Sequence, residues 1–209
     1  MKSKKILFLL VVISIFFSCN INQEEKSEFS HFSEQFSDLK VLRYQIPGFD
    51  KLTLNQKKFV YYLTEAGLYG RDIMYDQNYR HNLKIRRALE NIYLNYNGNK
   101  NDNQWRSFEI YLKRIWFSNG IHHHYSNDKF DPDFSEEYLK NLMDETNTEL
   151  NNEVFDLIFN DVDSKKVNRD KSKGIIIGSS VNFYDPDITE EEVESFYKNK
   201  KVPDPNKPI

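Results

Sequence analysis

Three consecutive histidines follow the most regular helical pattern in the chain. They belong to the segment Ser118-Asn119-Gly120-Ile121-His122-His123-His124-Tyr125-Ser126 and make up three of the five histidines of the sequence. On an extended backbone, side chains alternate between faces, so His122 and His124 would share one face and His123 the other. Two such histidines can hold a metal only with a third ligand from elsewhere. Three interpretations stay open: a metal site, polar groups lining a cleft, or an exposed or locally satisfied polar loop.

Other patterns for metal or nucleophilic chemistry are incomplete. No histidine is followed by glutamate, so the sequence has no His-Glu-x-x-His zinc helix. Ser179 and Ser180 follow a glycine, but Val181 stands where a nucleophile elbow requires a second glycine. Acidic runs such as 190–192 are typical of a solvated helix start, not of an acid/base pair. Arg71-Asp72 fits either a buried ion pair or the lining of a cleft.

Residues 1–19 predict a lipoprotein signal peptide. Three lysines precede the apolar stretch 6–17, which is shorter than the roughly 20 residues that a membrane-spanning helix needs. Cys19, the single cysteine, follows this stretch and is the expected lipidation site. Phe16 and Phe17 are bulky for this position, so an uncut or an ordinarily secreted form is the alternative. We expect an exported lipoprotein of a Gram-negative bacterium, in the periplasm or at the outer membrane or cell surface, with its lipid as the membrane contact.

Composition restricts what the rest of the chain does. Because Cys19 is the single cysteine, the mature chain has no internal disulfide, so its stability must come from one core of about 190 residues. Lys+Arg 29 against Asp+Glu 32 leaves a net charge of -3, which gives no indication of a nucleic-acid partner. Residues 20–43 read as an acidic tether with little order before about residue 40, and its acidic run fits a plain linker or a surface-export signal. Residues 202–209 read as a Pro-rich linker or a truncation point.

The intervening residues 44–201 predict a mainly helical α+β region. Capping patterns and apolar spacing indicate helices from Thr53 to Gly70, from about 80 to 96, and from the loop 97–102 to the stop at Asn119-Gly120. The apolar stripe of this third helix, from Trp105 to Trp116, is expected to be core and not a sugar-stacking platform. Further helices are predicted from Ser135, over 150–158, and from Thr189 to about Lys198. The clearest strand signal covers residues 174–184.

Several segments, in chain order from about Tyr44 to the C-terminus, together resemble the N-terminal region of bacterial dipeptidyl peptidase III, a zinc metallopeptidase family. A match in several segments is more specific than any single motif. The matching residues are Tyr61-Tyr62-Leu63-Thr64-Glu65-Ala66-Gly67-Leu68-Tyr69-Gly70-Arg71-Asp72-Ile73, Phe108-Glu109-Ile110-Tyr111, Trp116-Phe117-Ser118-Asn119-Gly120-Ile121-His122-His123-His124-Tyr125, Lys129-Phe130 and Val181-Asn182-Phe183-Tyr184.

The resemblance implies a two-lobed fold around a wide cleft and an enzyme that removes dipeptides from the N-terminus of short peptides. It implies that Asn119, His122, His124 and Tyr125 line this cleft; the match there needs a one-residue gap, which favours Tyr125 over any one histidine. The family's zinc helix has no counterpart in these 209 residues. We therefore expect an N-terminal portion that is inactive alone, binds no zinc itself, and works with a C-terminal catalytic portion. The alternative is a self-contained helical lipoprotein that binds peptide or glycan.

Overall fold

The computed structural model describes residues 29–170, 172, 178–182 and 188–200. Within them, helices dominate and one two-stranded sheet is present, which confirms the mainly helical α+β class. The signal peptide with Cys19, the first part of the tether and the Pro-rich tail lie outside the described residues. Among the helices of the described part, none has the length and apolarity to cross a membrane. The chain divides into two compact units, one of 1–35 with 40–45 and one of 36–39 with 46–209.

The smaller unit contains most of a hairpin. Strand β1 covers Phe32–Phe36 and β2 covers Leu39–Leu42, and the turn between them has Ser37 in the left-handed region at φ 49°. Next to the strands, the Arg43 backbone N–H donates to the His31 carbonyl at 2.9 Å. The expectation of little order before about residue 40 is therefore wrong for the strand residues. Two features of the sequence could have predicted this hairpin: the alternating pattern of the short run 39–42 and the Ser37-Asp38 turn before it.

The larger unit is built from seven α-helices among the described residues. The first begins after a single 3-10 turn, Phe49–Lys51. The α-helices are α1 Leu54–Tyr69, α2 Arg71–Asn78, α3 Asn82–Asn95, α4 Asn103–Ser118, α5 Glu136–Glu145, α6 Asn152–Phe159 and α7 Glu190–Asn199.

Side-chain caps set most of the helix starts. Thr53 and Gln56 form a reciprocal capping box on α1, and Thr189 forms the same motif on α7. Asp102 accepts from the backbone N–H of Trp105 at 2.8 Å and thereby caps α4. At the other end of α4, Asn119 takes the left-handed conformation at φ 53°, as its position before a glycine predicts. The predicted caps at Thr53, Thr189 and Asn119 are thus confirmed.

The core packs the apolar stripes of α3, α4, α5 and α6 against each other. The α4 stripe is buried as predicted, with Trp105 stacked on Tyr96 at a ring-centroid distance of 4.7 Å. Burying one such aromatic side chain removes about 150 to 250 Å² from water, so the stripe is a major source of stability. The fully buried aliphatic members of this core are Ile85, Leu89, Ile92, Leu112, Ile115, Ile121, Leu139, Leu142, Val154 and Ile158.

Two elements differ from the sequence prediction, a helix at 71–78 and the strand expected at 174–184. Residues 71–78 form a separate helix, α2, which begins where the first predicted helix was expected to end. Residues 178–182, inside the predicted strand, are not in a strand, and the other residues of 174–184 lie outside the described part. Their backbone bonds instead to loops, for example from Val181 N–H to the Lys166 carbonyl at 3.0 Å.

Candidate functional site

Asn82 fixes the start of the histidine segment. It is fully buried, and its Nδ2 donates to the Tyr75 carbonyl at 3.0 Å while its Oδ1 accepts from the Ile121 backbone N–H at 3.0 Å. Gly120 lies against this side chain with φ 147°, and a Cβ there would come within 2.2 Å of Asn82 Nδ2. Since only glycine lacks that Cβ, the pair Asn82 and Gly120 determines how the chain leaves α4.

His122 lies in the interior rather than on an open surface. The residue is 2% exposed, and its backbone forms an isolated antiparallel β-bridge with Lys129. The imidazole packs edge-on against the Tyr79 ring, with 5.3 Å between the ring centroids. Its Nε2 lies 2.7 Å from the Asp163 carbonyl oxygen, so the neutral ring carries its proton on Nε2 and donates there. Burial lowers the pKa of His122 to about 4, against a weaker opposite effect of the Asp163 carbonyl. His122 is therefore neutral at pH 7.

The loop whose Asp163 carbonyl accepts the hydrogen bond from His122 is held by two partly buried charged side chains, Asp163 and Lys129. The Tyr79 hydroxyl donates to the Asp163 carboxylate at 2.7 Å, and Asp163 has a positive φ of 54°. The Lys129 ammonium donates to the carbonyl oxygens of Leu157, Asn160 and Val162 at 3.1, 2.5 and 2.5 Å, at the end of α6. A cation at this end of a helix satisfies carbonyls that lack partners within it. Lys129 thus positions the loop against which His122 packs.

His123 and His124 close a turn and do not continue an extended strand. His123 Nδ1 accepts from the backbone N–H groups of Tyr125 and Ser126 at 3.2 and 3.1 Å. His124 stacks on His123 with 4.5 Å between ring centroids, and its Nδ1 lies 3.4 Å from Ser118 Oγ. The backbone turns at 124–126, so the extended segment expected through His122 to His124 does not continue past His123. Locally, the loop satisfies much of its own hydrogen bonding.

The turn places Tyr125 at the surface. It is 83% exposed, and its ring packs on His124 at 4.2 Å. A groove of about 370 Å³ begins beside it, with Lys165 and Arg169 as its cationic side chains. Lys165 is ion-paired with Asp128. The remaining lining residues are Ser126, Asn127, Val167, Asn168 and Asp170.

Of the four predicted cleft residues, only Tyr125 and His124 lie together at the groove. Tyr125 lies at the groove, and His124 is half-buried beside it. His122 is interior, and Asn119 serves as the α4 cap, where its carbonyl accepts from Asn78 Nδ2 at 3.0 Å. The groove residues Lys165 and Arg169 were not predicted, because nothing in the sequence indicated that their loop returns to the histidine turn.

The described residues contain no group of three histidine, cysteine or acidic side chains arranged to hold a metal ion. A serine nucleophile is not formed either. Ser180 Oγ lies 3.3 Å from His122 Nε2, but this nitrogen donates to the Asp163 carbonyl and Ser180 Oγ donates to the Lys165 carbonyl at 2.9 Å. An imidazole that donates from that nitrogen has no lone pair there to accept the serine proton. Within the described residues, Ser180 and His122 are therefore each held by a backbone carbonyl.

Asp72 pairs with arginines other than its neighbour. Its carboxylate lies 2.8 Å from Arg86 and 3.0 Å from Arg87 and is 43% exposed, so the buried ion pair with Arg71 is wrong, whereas both Arg71 and Asp72 line a groove. The hydrogen bond from Arg86 is the main reason why the pKa of Asp72 is lowered. Arg71 lines a second groove of about 510 Å³ together with Arg86, Trp116 and other side chains.

Comparison with models of known protein families gives no match for this chain, and comparison with curated proteins also gives none.

Proposed function

We propose that this chain is the N-terminal portion of an exported, lipid-anchored dipeptidyl peptidase that depends on zinc, and that it supplies part of the surface that holds a short peptide. One observation carries the proposal. Two segments of the resemblance, 116–125 and 129–130, pair with each other through the β-bridge between His122 and Lys129 and through the Phe130 N–H, which donates to the Ile121 carbonyl at 2.8 Å. Residues that act as one structural unit support the resemblance better than isolated matches.

The chemistry of this unit is recognition. The Tyr125 ring offers an exposed apolar and aromatic surface, and Arg169 offers planar N–H donors to a carbonyl or carboxylate of a peptide. His122 and Lys129 act as positioning residues, since both are engaged with backbone carbonyls. Zinc in such an enzyme polarises the scissile carbonyl and activates water. The described residues do not fit a zinc site, so the metal ligands would come from the C-terminal catalytic portion.

The test is peptide binding to the whole chain, measured with a tetrapeptide by calorimetry in wild type, Tyr125→Ala and the control Tyr197→Ala. Tyr197 is also exposed, at 62%, but lies on α7 away from the groove lining. We expect Tyr125→Ala to weaken binding roughly three- to tenfold, the value of one aromatic contact, and Tyr197→Ala to have no effect. Equal effects of both variants would contradict the assignment of the groove.

The same chain, supplied with zinc alone, is expected to release no dipeptide from the tetrapeptide. Release by the isolated chain would contradict the proposal that the metal ligands lie elsewhere.

A second candidate is the self-contained binding lipoprotein. The core from Tyr75 to Phe159 favours it, because helices α3 to α6 bury their stripes against each other within this segment. This candidate predicts peptide- or glycan-dependent stabilisation of the chain without any catalytic portion, which a thermal shift measures.

A further inference from the structure

Two Asn-Gly pairs occur in the chain, Asn97-Gly98 and Asn119-Gly120. In such a pair the backbone nitrogen of the glycine can attack the side-chain amide carbon of the asparagine, because glycine has no Cβ to hinder the approach. The attack closes a succinimide ring. It needs a glycine nitrogen that is free of hydrogen bonds and an asparagine side chain that can rotate toward it. The two pairs differ in both respects.

Asn97-Gly98 lies in the loop between α3 and α4. Both residues are exposed, and among the described residues the Gly98 backbone N–H has no hydrogen-bond acceptor. The Asn97 side chain makes one hydrogen bond, in which its Nδ2 donates to the Asn95 carbonyl at 3.0 Å. This bond is exposed, so water can replace it at little cost. The amide carbon of Asn97 is therefore free to turn toward the Gly98 nitrogen.

The second pair is held in place on both sides. The Gly120 backbone N–H donates to the Ile115 carbonyl at 3.0 Å, and Gly120 is buried. Asn119 is fixed in the left-handed conformation as the cap of α4, and its carbonyl accepts from Asn78 Nδ2 at 3.0 Å. The buried Asn82 side chain occupies the space where a Cβ of Gly120 would lie. Attack at this pair therefore requires the Gly120 hydrogen bond to break and a packed segment to move.

We infer that Asn97 is a site of spontaneous deamidation and that the fold protects Asn119 from the same reaction. The Gly98 nitrogen forms a bond to Cγ of Asn97 and loses its proton, while the Cγ–Nδ2 bond breaks and ammonia leaves. Water then opens the succinimide at either carbonyl carbon, which gives aspartate or isoaspartate. Overall, one water is consumed and one ammonia is released, and no oxidant or reductant is needed. This chemistry is independent of the proposed function.

The isoaspartate product disturbs a packed part of the protein. The Gly98 backbone lies against the Tyr96 ring, so closely that a Cβ on Gly98 would fall 2.4 Å from the Tyr96 hydroxyl. Tyr96 is buried and stacks on Trp105 with 4.7 Å between the ring centroids. Isoaspartate at position 97 routes the main chain through the side-chain carbon and so lengthens it between Tyr96 and Gly98. We therefore expect conversion to displace Gly98 from the ring and to change the tryptophan fluorescence.

The experiment incubates the whole chain in mildly alkaline buffer, either folded or in urea, and follows both pairs by peptide mapping with mass spectrometry. Deamidation replaces an NH2 by an OH, and labelling with protein isoaspartyl methyltransferase identifies the isoaspartate. In the folded chain we expect the reaction at Asn97 to be at least about tenfold faster than at Asn119, which corresponds to about 1.4 kcal/mol in activation free energy. Freeing one buried backbone N–H from its acceptor is sufficient for a difference of this size. In urea, where both pairs are solvated, we expect rates within about threefold of each other.

Controls come from the same loop. Asn99 and Asn101 precede lysine and aspartate, whose Cβ atoms hinder the attack, so both are expected to stay intact in the folded chain while Asn97 reacts. Asn97→Gln keeps the amide but requires a larger ring to close, and it should abolish both the modification at position 97 and most of the ammonia release. Equal rates at Asn97 and Asn119 in the folded chain, a faster reaction at Asn119, or an Asn97 that reacts only in urea would overturn the inference.

Discussion

Acidification from pH 7 to pH 4 perturbs one buried group whose surroundings are fully defined, His122. In the folded protein its pKa is about 4, because burial penalises the imidazolium, and in the unfolded chain it is about 6.5. The folded pKa is the lower one, so the unfolded chain binds the proton first as the pH falls. The stability that neutral His122 contributes is complete above pH 6.5, is lost between pH 6.5 and pH 4, and falls no further below that.

The size of this effect follows from the separation of the two pKa values. It amounts to a loss of about 3 kcal/mol in the free energy of unfolding at pH 4 relative to pH 7. A domain with 5 to 15 kcal/mol of total stability loses a measurable fraction of it. Carboxylates with lowered pKa, such as Asp72, also cost stability in acid, so the His122 part must be isolated by a variant.

The variant is His122→Gln, whose Nε2 amide can donate to the Asp163 carbonyl as the imidazole Nε2 does but does not ionise. Urea unfolding of both proteins at pH 7, 6, 5 and 4 gives the difference in their free energies of unfolding. We expect this difference to move by about 3 kcal/mol in favour of the variant toward pH 4. A constant difference over this range, or a pKa of His122 near 6.5 by NMR, would refute the burial argument.

Two further pairs of substitutions test the packing around this site by urea unfolding. Gly120→Ala is expected to cost about 2 to 4 kcal/mol, because its Cβ would displace the buried Asn82 amide and its two hydrogen bonds. Gly67→Ala, at a helical position with open space, is expected to stabilise by about 0.5 to 1 kcal/mol, and a loss at both sites would contradict the local geometry. Lys129→Met is expected to cost about 2 kcal/mol or more, because three carbonyl oxygens lose a charged donor. The matched variant Lys140→Met, at an exposed helix position, should cost less than about 0.5 kcal/mol, and equal losses would show that the Lys129 contacts contribute little.

Much of the helical framework could be predicted because its signals are local. Thr53, Asp102 and Ser135 begin helices through side-chain caps that depend on residues two or three positions ahead. The stripe on α4 predicted the core, since a period of 3.6 residues places it on one face. The hairpin at 32–42 and the separate helix α2 were missed, because short elements carry weak periodicity.

The site could be predicted only in part, because its geometry depends on contacts distant in the chain. Tyr125 was identified by resemblance, but its groove depends on residues 165–170, some 40 positions later. The burial of His122 comes from Tyr79 and Asp163, which no local pattern connects to it. The exposure of α1 was not predicted either, since an apolar helical pattern indicates burial without saying which part of a protein supplies the cover.

We propose that these residues form the N-terminal portion of a zinc-dependent dipeptidyl peptidase. The most direct measurement is to sequence the genomic DNA that follows the codon of Ile209. We expect a region, in frame or after a frameshift, that encodes a helix with the His-Glu zinc ligands. A stop codon followed by an unrelated gene would contradict it, and would leave a peptide- or glycan-binding lipoprotein as the function to test.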